Sequence, residues 1–310
     1  MQRALVSLGL LALVGAGAAW VLTAPRPLPA AELEALTGDP VHGATVFHAA
    51  GCASCHVAPD AVQSEAPILA GGQRFETQFG FFVAPNISPS PQGIGEWTDA
   101  EVMNAVLRGV SPEGQHYYPS FPWNAYWKAE PQDVADLVAH LRTLPSSDAE
   151  SEAHDLPFPF SIRRAVGAWK LLFLQDDWVV AGDLSGQQTR GRYLVEALGH
   201  CGECHTPRNA LGGLRTAAWL AGARDPAGTG WNPNITPAGL SWSEGEIVAM
   251  LQSGFTPEFD VVGGEMAEVV TNTSRLPLED QAAIAAYLKV VPLVESEAPG
   301  PGTGDSSAEE

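Results

Sequence analysis

The sequence predicts an all-α protein made of two tandem units whose helices are joined by Gly- and Pro-rich loops. The motif Cys-x-x-Cys-His occurs twice, as Cys52–His56 and Cys201–His205. Each copy is followed by segments in which apolar residues recur with the period of a helix. The chain has 32 glycines and 25 prolines among 310 residues, which favours short helices and many ordered loops. This length leaves room for about two domains.

The N-terminus has a basic residue followed by an uncharged stretch over residues 4–24. This pattern is typical of an export signal, and the stretch is also long enough to span a bilayer as a helix. We expect residues 1–24 to be a signal or membrane anchor. A retained anchor is favoured because residues 20–22 continue the apolar run past the small residues at which cleavage could occur. The alternative is a cleaved, soluble periplasmic form.

The rest of the chain divides by composition. The predicted segments are a tether at 25–38, a first unit at 39–146, a linker with a packing helix at 147–186, a second unit at 187–293 and a disordered acidic tail at 294–310. A short helix from Gly43 leads into the first motif. Apolar stripes predict that each unit closes with a helix, at Pro131–Leu144 and at Leu278–Val291.

The two motifs predict two covalently attached haem c groups. Two thiols at this spacing reach the two vinyl groups of one porphyrin, while the adjacent imidazole lies under the iron as its proximal ligand. The predicted attachment and ligand residues are Cys52, Cys55 and His56 for haem 1, and Cys201, Cys204 and His205 for haem 2. A zinc site is the alternative, and it would need further ligands around the motifs.

The units repeat beyond these motifs. Each has an Asn-Ile-Ser/Thr-Pro segment, beginning at Asn86 and at Asn234, which we interpret as loop structure rather than as a sugar attachment site. A tryptophan then precedes an acidic helix start. The predicted capping boxes are Thr98 with Glu101 and Ser243 with Glu246, and the predicted C-caps are Gly109 and Gly254.

The sixth iron ligand differs between the units. Of the four methionines, Met103 and Met250 fall on helices and are expected in the core, whereas Met266 lies in a Gly-rich loop before the last helix. A thioether is a common distal ligand of haem c, so Met266 is the expected ligand of haem 2.

In the first unit, Phe121 stands at the position that corresponds to Met266, and phenylalanine cannot ligate iron. Two alternatives follow for haem 1. Its sixth ligand is His116, with Lys128 as a weaker donor, or the position is open or holds water. A structural or haem-propionate hydrogen bond is the other role considered for His116.

The formal net charge is −20. It disfavours nucleic acid and anionic lipid as partners, and it favours docking to a basic patch on another protein.

From Asp39 to Pro292 the chain resembles the multihaem cytochrome c subunits of membrane-bound alcohol and gluconate-type dehydrogenases and their diheme relatives. Similar segments include Pro85–Pro89, His200–Asn209 and Gly263–Val270. The resemblance implies two tandem cytochrome c domains and electron transfer from a periplasmic dehydrogenase toward quinone or a terminal oxidase in the respiratory chain. It implies redox partners (a dehydrogenase, another cytochrome or an oxidase). The N-terminal export pattern and the covalent haem attachment predict a location at the periplasmic face of the bacterial inner membrane. The resemblance also supports Met266 as an axial iron ligand.

Two departures from that family leave a second function open. The dehydrogenase subunits usually carry three haems, and Ala129 stands where relatives place a methionine. The alternative function is therefore a haem enzyme, a peroxidase or small-molecule oxidoreductase that uses an open or weakly capped first haem. The electron carrier is preferred because the sequence offers no distal acid/base group beyond His116.

Overall fold

The computed structural model describes residues 2–61, 64–228 and 230–296. The predicted tail lies outside these residues from position 297 onward. The helices are α1 Gln2–Leu22, α2 Ala30–Leu33, α3 Pro40–Ala49, α4 Cys52–His56, α5 Asp99–Arg108, α6 Trp123–Tyr126, α7 Pro131–Leu141, α8 Ala165–Phe173, α9 Gly186–Tyr193, α10 Gly202–His205, α11 Glu244–Ser253, α12 Glu265–Thr273 and α13 Leu278–Leu288. A π-helical turn at Leu194–Leu198 extends α9, and a 3-10 turn lies at Thr216–Ala218.

Two short antiparallel hairpins interrupt the helices. Strands β1 Arg74–Thr77 and β2 Gly80–Val83 pair with Arg74 opposite Val83. Strands β3 Ala223–Arg224 and β4 Trp231–Asn232 pair with Ala223 opposite Asn232. The described part of the chain is therefore mostly helical, as the sequence predicts, and each hairpin follows one Cys-x-x-Cys-His motif.

The N-terminal helix α1 ends against the body of the protein. The carbonyl oxygen of Trp20 accepts from the Arg164 guanidinium, and that of Thr23 lies 2.9 Å from Nε2 of His116. Within residues 2–61, 64–228 and 230–296, no helix combines the length and the apolar character needed to cross a membrane. The predicted membrane anchor is therefore not supported.

The segment predicted as a tether, residues 25–38, packs on the first half. It contains α2, whose Leu33 is buried. The backbone N–H of Leu28 donates to Oδ1 of Asn104 at 2.7 Å, and Nδ2 of Asn104 donates to the Leu28 carbonyl at 3.2 Å.

In each half, an early helix crosses the closing helix at close range. A Cβ at Gly43 on α3 would collide with the backbone carbonyl of Asp136 on α7. A Cβ at Gly191 on α9 would collide in the same way with the carbonyl of Ala283 on α13. The closing helices begin at the predicted residues and each ends three residues earlier than predicted. Glycine at the crossing lets the two backbones approach.

The predicted helix caps in both halves are confirmed. Thr98 and Ser243 each accept from the backbone N–H three residues later, and Glu101 and Glu246 complete the two capping boxes. Gly109 and Gly254 end α5 and α11 in the left-handed conformation. This conformation carries little steric cost for glycine.

The main hydrophobic core is continuous across the two halves. It includes Phe47 and Met103 of the first half together with Ile247 and Tyr287 of the second. A smaller cluster forms around Phe82, Tyr118, Trp123 and Val166.

The predicted packing helix corresponds to α8. Its Trp169 ring lies 5.9 Å from the ring of Trp123, measured between centroids, and its indole N–H donates to the Leu211 carbonyl at 2.9 Å. Helix α8 therefore contacts both halves of the chain.

Candidate haem-binding sites

The first motif is a single helical turn. Gly51, at φ +62°, precedes α4 and turns the chain from the end of α3 into it. Helix α4 places the thiols of Cys52 and Cys55 and the imidazole of His56 within five residues. The second motif has the same arrangement, with Cys201 at the N-cap of α10 and His205 as its last residue. None of the four cysteines forms a disulfide, so all four are available for thioether bonds.

Backbone carbonyls orient both motif histidines. Nδ1 of His56 lies 2.8 Å from the carbonyl oxygen of Pro85, and Nδ1 of His205 lies 2.8 Å from that of Pro233. A carbonyl oxygen only accepts, so each Nδ1 carries the hydrogen and each Nε2 keeps its lone pair. This is the second-shell arrangement that prepares an imidazole to bind iron through Nε2.

The loops that supply these carbonyls are built alike. The N–H of Gly71 donates to the His56 carbonyl at 2.7 Å, and the N–H of Gly222 donates to the His205 carbonyl at 2.8 Å. Oδ1 of Asn86 accepts from the N–H two residues later at 2.8 Å, as does Oδ1 of Asn234 at 2.9 Å. The Asn-Ile-Ser/Thr-Pro segments thus shape the turn that follows each carbonyl. Asn86 is only 3% exposed, in agreement with a structural role.

Before haem is attached, burial favours the protonated form of the four thiols. It raises the pKa of Cys52 and of Cys204 to about 12, and that of Cys55 and of Cys201 to about 11. The charge of Glu265 adds to the effect of burial at both Cys55 and Cys204.

These donors fit covalent haem better than zinc. A zinc site needs deprotonated thiolates gathered on one ion. Among the described residues, the one group of three or more potential ligands within reach of a single ion is His42, Asp133 and Asp136, which contains no cysteine. In that group, Nδ1 of His42 lies 2.7 Å from Oδ2 of Asp136 and forms a structural hydrogen bond. Each motif instead offers two free thiols and one neutral, oriented imidazole.

Met266 lies in the first turn of α12, which the sequence analysis did not predict. The expectation of a loop at this position is wrong, because Gly264 at φ +58° starts a helix there. The Met266 side chain is half-buried and packs against the main core together with Val262 and Val270. Met103 and Met250 are buried in the core, as predicted.

The two candidate sixth ligands of the first haem, His116 and Lys128, both interact with other groups of the protein. His116 is buried, its Nε2 is bonded to the Thr23 carbonyl at 2.9 Å, and its Nδ1 has no hydrogen-bond partner. Burial lowers the pKa of His116. Nζ of Lys128 lies 3.9 Å from a carboxylate oxygen of Glu196.

Phe121 and Ala129, which stand where a methionine ligand was considered, make packing contacts. The ring of Phe121 lies 5.9 Å from the ring of Tyr126. Ala129 is 6% exposed and belongs to the main core.

The sequence analysis missed the junction between the motifs. The Tyr126 hydroxyl donates to the carbonyl of Ala50 at 2.9 Å, and its ring lies 5.6 Å from the ring of His200. Ala50 comes just before the first motif and His200 just before the second. His200 also has an unusual φ of +39°, which the sequence does not reveal.

The sequence of the chain is similar to those of known proteins. Residues 40–145 match the cytochrome c family. A diheme cytochrome c-type protein of Cereibacter sphaeroides is 55% identical over 297 residues, which is 95% of this chain and 100% of that protein.

Several dehydrogenase subunits are also similar. The fructose dehydrogenase cytochrome subunit of Gluconobacter japonicus is 38% identical over 79% of this chain and 51% of its own length. The gluconate 2-dehydrogenase cytochrome c subunit of Pantoea cypripedii is 32% identical over 80% of this chain and 58% of its own length. The chain thus spans about half the length of these subunits.

Proposed function

Since this chain belongs to the family of diheme c-type cytochromes, we propose that it carries electrons between a dehydrogenase, or another donor, and the respiratory chain on the periplasmic side of the membrane. The chain has two covalently attached haem c groups, as the comparison with its diheme relative shows. The dehydrogenase partner is inferred from the cytochrome subunits that the chain resembles over about half of their length.

We assign the two halves of the chain to two tandem cytochrome c domains, at 39–146 and 187–293. The linker at 147–186 carries α8 between them. This division is supported by the equivalent glycine crossings, capping boxes and histidine–carbonyl bonds of the two halves.

Each residue of a site has a definite task. The thiols of Cys52 and Cys55, and those of Cys201 and Cys204, hold the porphyrins by thioether bonds. His56 and His205 bind through Nε2, and their Nδ1–H groups stay on backbone carbonyls. Met266 is the proposed axial ligand on the other face at the second site. The bound haem supplies the one-electron chemistry, and the protein supplies ligands, burial and orientation.

The observation that carries the proposal is the junction of the two motifs in one core. The Tyr126 hydroxyl bonds Ala50, two residues before the first motif, and its ring packs beside that of His200, the residue before the second motif. Two redox centres attached to one continuous core suit a relay, because electrons can enter at one and leave at the other.

A second function is favoured by the surroundings of the first site. Phe121 and Ala129 offer no ligand, and Nε2 of His116 is bonded to the Thr23 carbonyl. If His116 keeps that bond, the sixth position at the first site admits small ligands. The chain would then act there as a haem enzyme, a peroxidase or small-molecule oxidoreductase.

Optical spectra of the reduced protein with and without carbon monoxide test the two functions, after pyridine haemochrome quantification. The carrier is expected to contain two haems per chain and to show no shift with carbon monoxide. His116→Ala should then open one haem to the gas, while His154→Ala, at a half-buried histidine used as the control, should not. Carbon monoxide binding by half of the haem in the unmodified protein would favour the enzyme, and turnover of peroxide would then be measured. A chain without covalent haem would contradict both functions.

A further inference from the structure

Asn272, in the last turn of α12, is a buried polar residue that connects the two halves of the protein. It is only 5% exposed. Its Nδ2 donates to the Ser54 hydroxyl at 2.9 Å, and its Oδ1 lies 3.3 Å from Nδ1 of His48. Nδ2 also donates to the Glu268 carbonyl on its own helix at 2.9 Å. Two of its three partners therefore belong to the first half.

One of those partners lies inside the first haem motif. Ser54 stands between Cys52 and Cys55, and its hydroxyl is the atom that Asn272 holds. His48 lies on α3, the helix that leads into the motif. Burial lowers the pKa of His48, so that it is neutral near pH 7, and its Nδ1–H can donate to the amide oxygen of Asn272.

The other end of the same helix carries Met266. Helix α12 spans nine residues, so Met266 and Asn272 belong to one rigid segment. The two glycines just before α12 have free space around them, since a Cβ at Gly263 or at Gly264 would meet nothing within 4 Å. The C-terminal end is instead held, by Asn272 and by the Thr273 hydroxyl, which donates to the Leu251 carbonyl at 2.9 Å. The position of Met266 therefore depends on these contacts as well as on its own packing against the core.

We propose that Asn272 is a positioning residue that couples the two haem sites. By fixing α12 to the first attachment motif, it holds the Met266 sulfur on the iron of the second haem. This inference rests on the proposed role of Met266 as a ligand. The two sites are then linked thermodynamically, because a change at the first motif alters the ligation of the second haem.

The test measures how readily added imidazole displaces the methionine in the oxidised protein, by optical titration of the sulfur-to-iron charge-transfer band. Asn272→Ala is expected to increase the apparent imidazole affinity at the second haem about five- to tenfold, the factor that corresponds to one buried hydrogen bond. Ser54→Ala, which removes only a hydroxyl and is a milder change, should increase it about fivefold. In the double variant, the imidazole affinity should increase by less than the product of the two single increases, since both substitutions remove the same Asn272–Ser54 hydrogen bond.

Thr271→Ala is the matched control. Among the described residues, the Thr271 hydroxyl donates to the Ala267 carbonyl of the same helix and to no group of the first half, so the imidazole affinity should not change. A reductive titration of each variant gives a second readout, in which Ser54→Ala should lower the midpoint potential of the second haem. A purely structural role of Asn272 would lower the thermal unfolding midpoint but leave ligand displacement in Ser54→Ala unchanged.

The outcomes separate this inference from the function on which it rests. If Met266→Ala leaves the charge-transfer band intact, the ligand assignment fails. If Met266→Ala abolishes the band while Asn272→Ala and Ser54→Ala match Thr271→Ala in imidazole affinity, the assignment stands and the coupling is overturned.

Discussion

His56 and His205 are each oriented by a backbone carbonyl rather than by a side chain. The accepting oxygens belong to Pro85 and Pro233, in loops held to the motifs by further backbone bonds. No single side-chain substitution removes such an acceptor, so the tautomer of each histidine is fixed by the fold. Sequence reasoning found the histidines from their motif, but it could not find the carbonyls because any residue supplies one.

His154 is expected to make stability depend on pH. Its Nδ1 accepts from the Val83 N–H at 3.1 Å, and its ring lies between Phe82 and Tyr118. Burial, followed by the positive charge of Arg163, lowers the pKa of His154 in the folded protein below 6.5. As pH falls through 6.5 the unfolded chain takes up the proton first, so this contribution to stability is lost on acidification.

Thermal unfolding of the wild-type protein and of His154→Gln, at pH 7.5, 6.5 and 5.5, checks this expectation. The variant should be less stable at pH 7.5, and the difference from the wild-type protein should narrow at pH 5.5. Other buried histidines affect both proteins equally, so the difference isolates His154. A difference that stays constant over this range would contradict the expected titration.

Gly43 is expected to tolerate no side chain. Gly43→Ala would push a methyl group into the Asp136 carbonyl, where α3 crosses α7. Overpacking of this kind costs about 1–3 kcal/mol in the free energy of unfolding. Gly245→Ala is the matched control, because a Cβ there meets nothing within 4 Å and alanine favours helix by up to about 1 kcal/mol. Denaturant unfolding should show opposite signs for the two variants, and equal effects would contradict the close crossing.

Among the helices, two with local capping signals have ends that the sequence predicts, and one without such a signal does not. Helices α5 and α11 begin with capping boxes and end at glycines, so their bounds follow from short-range hydrogen bonding. Helix α12 begins after Gly264 without a side-chain cap. Its start depends on tertiary packing of Met266 and Val270, which a sequence pattern does not contain.

The local stability of the segment that follows α8 is expected to depend on one buried carboxylate, that of Glu196. Glu196, in the π-helical turn, accepts from the N–H groups of Val179 and Val180 at 2.6 and 3.0 Å, and from the Tyr287 hydroxyl at 2.6 Å. Glu196→Gln turns one acceptor into a donor that faces other donors. The loss should be about 1–3 kcal/mol in the free energy of unfolding.

Amide hydrogen exchange of the holoprotein locates the effect of Glu196→Gln. Exchange should speed up at Val179 and Val180 more than elsewhere. Glu150→Gln, at an exposed carboxylate in the same linker, should leave exchange unchanged. Uniformly faster exchange in Glu196→Gln would show a global loss of stability without a local role for this carboxylate.

For the molecule as a whole, the sequence predicts two units but does not reveal how they meet. The motif repeat and the closing helices were visible because each depends on residues within one unit. The continuous core, the Tyr126 junction and the Asn272 bonds join residues far apart in sequence, and no period or spacing signals them. The contacts between the two halves could therefore be found only from the folded structure.

The net charge of −20 is expected to steer redox partners. A strongly negative surface attracts cationic partners over distances set by the Debye length, which falls from about 30 Å at 0.01 M salt to about 8 Å at 0.15 M. Oxidation of the reduced protein by a cationic cobalt(III) complex should therefore slow, on the order of tenfold, over this range of salt. Oxidation by an anionic complex of similar potential should become faster, and an uncharged oxidant should show little change. Stopped-flow absorbance at the haem bands gives all three rates. If the two charged complexes respond to salt alike, the negative charges lie away from the surface where electrons leave, and a basic docking partner is not favoured by charge.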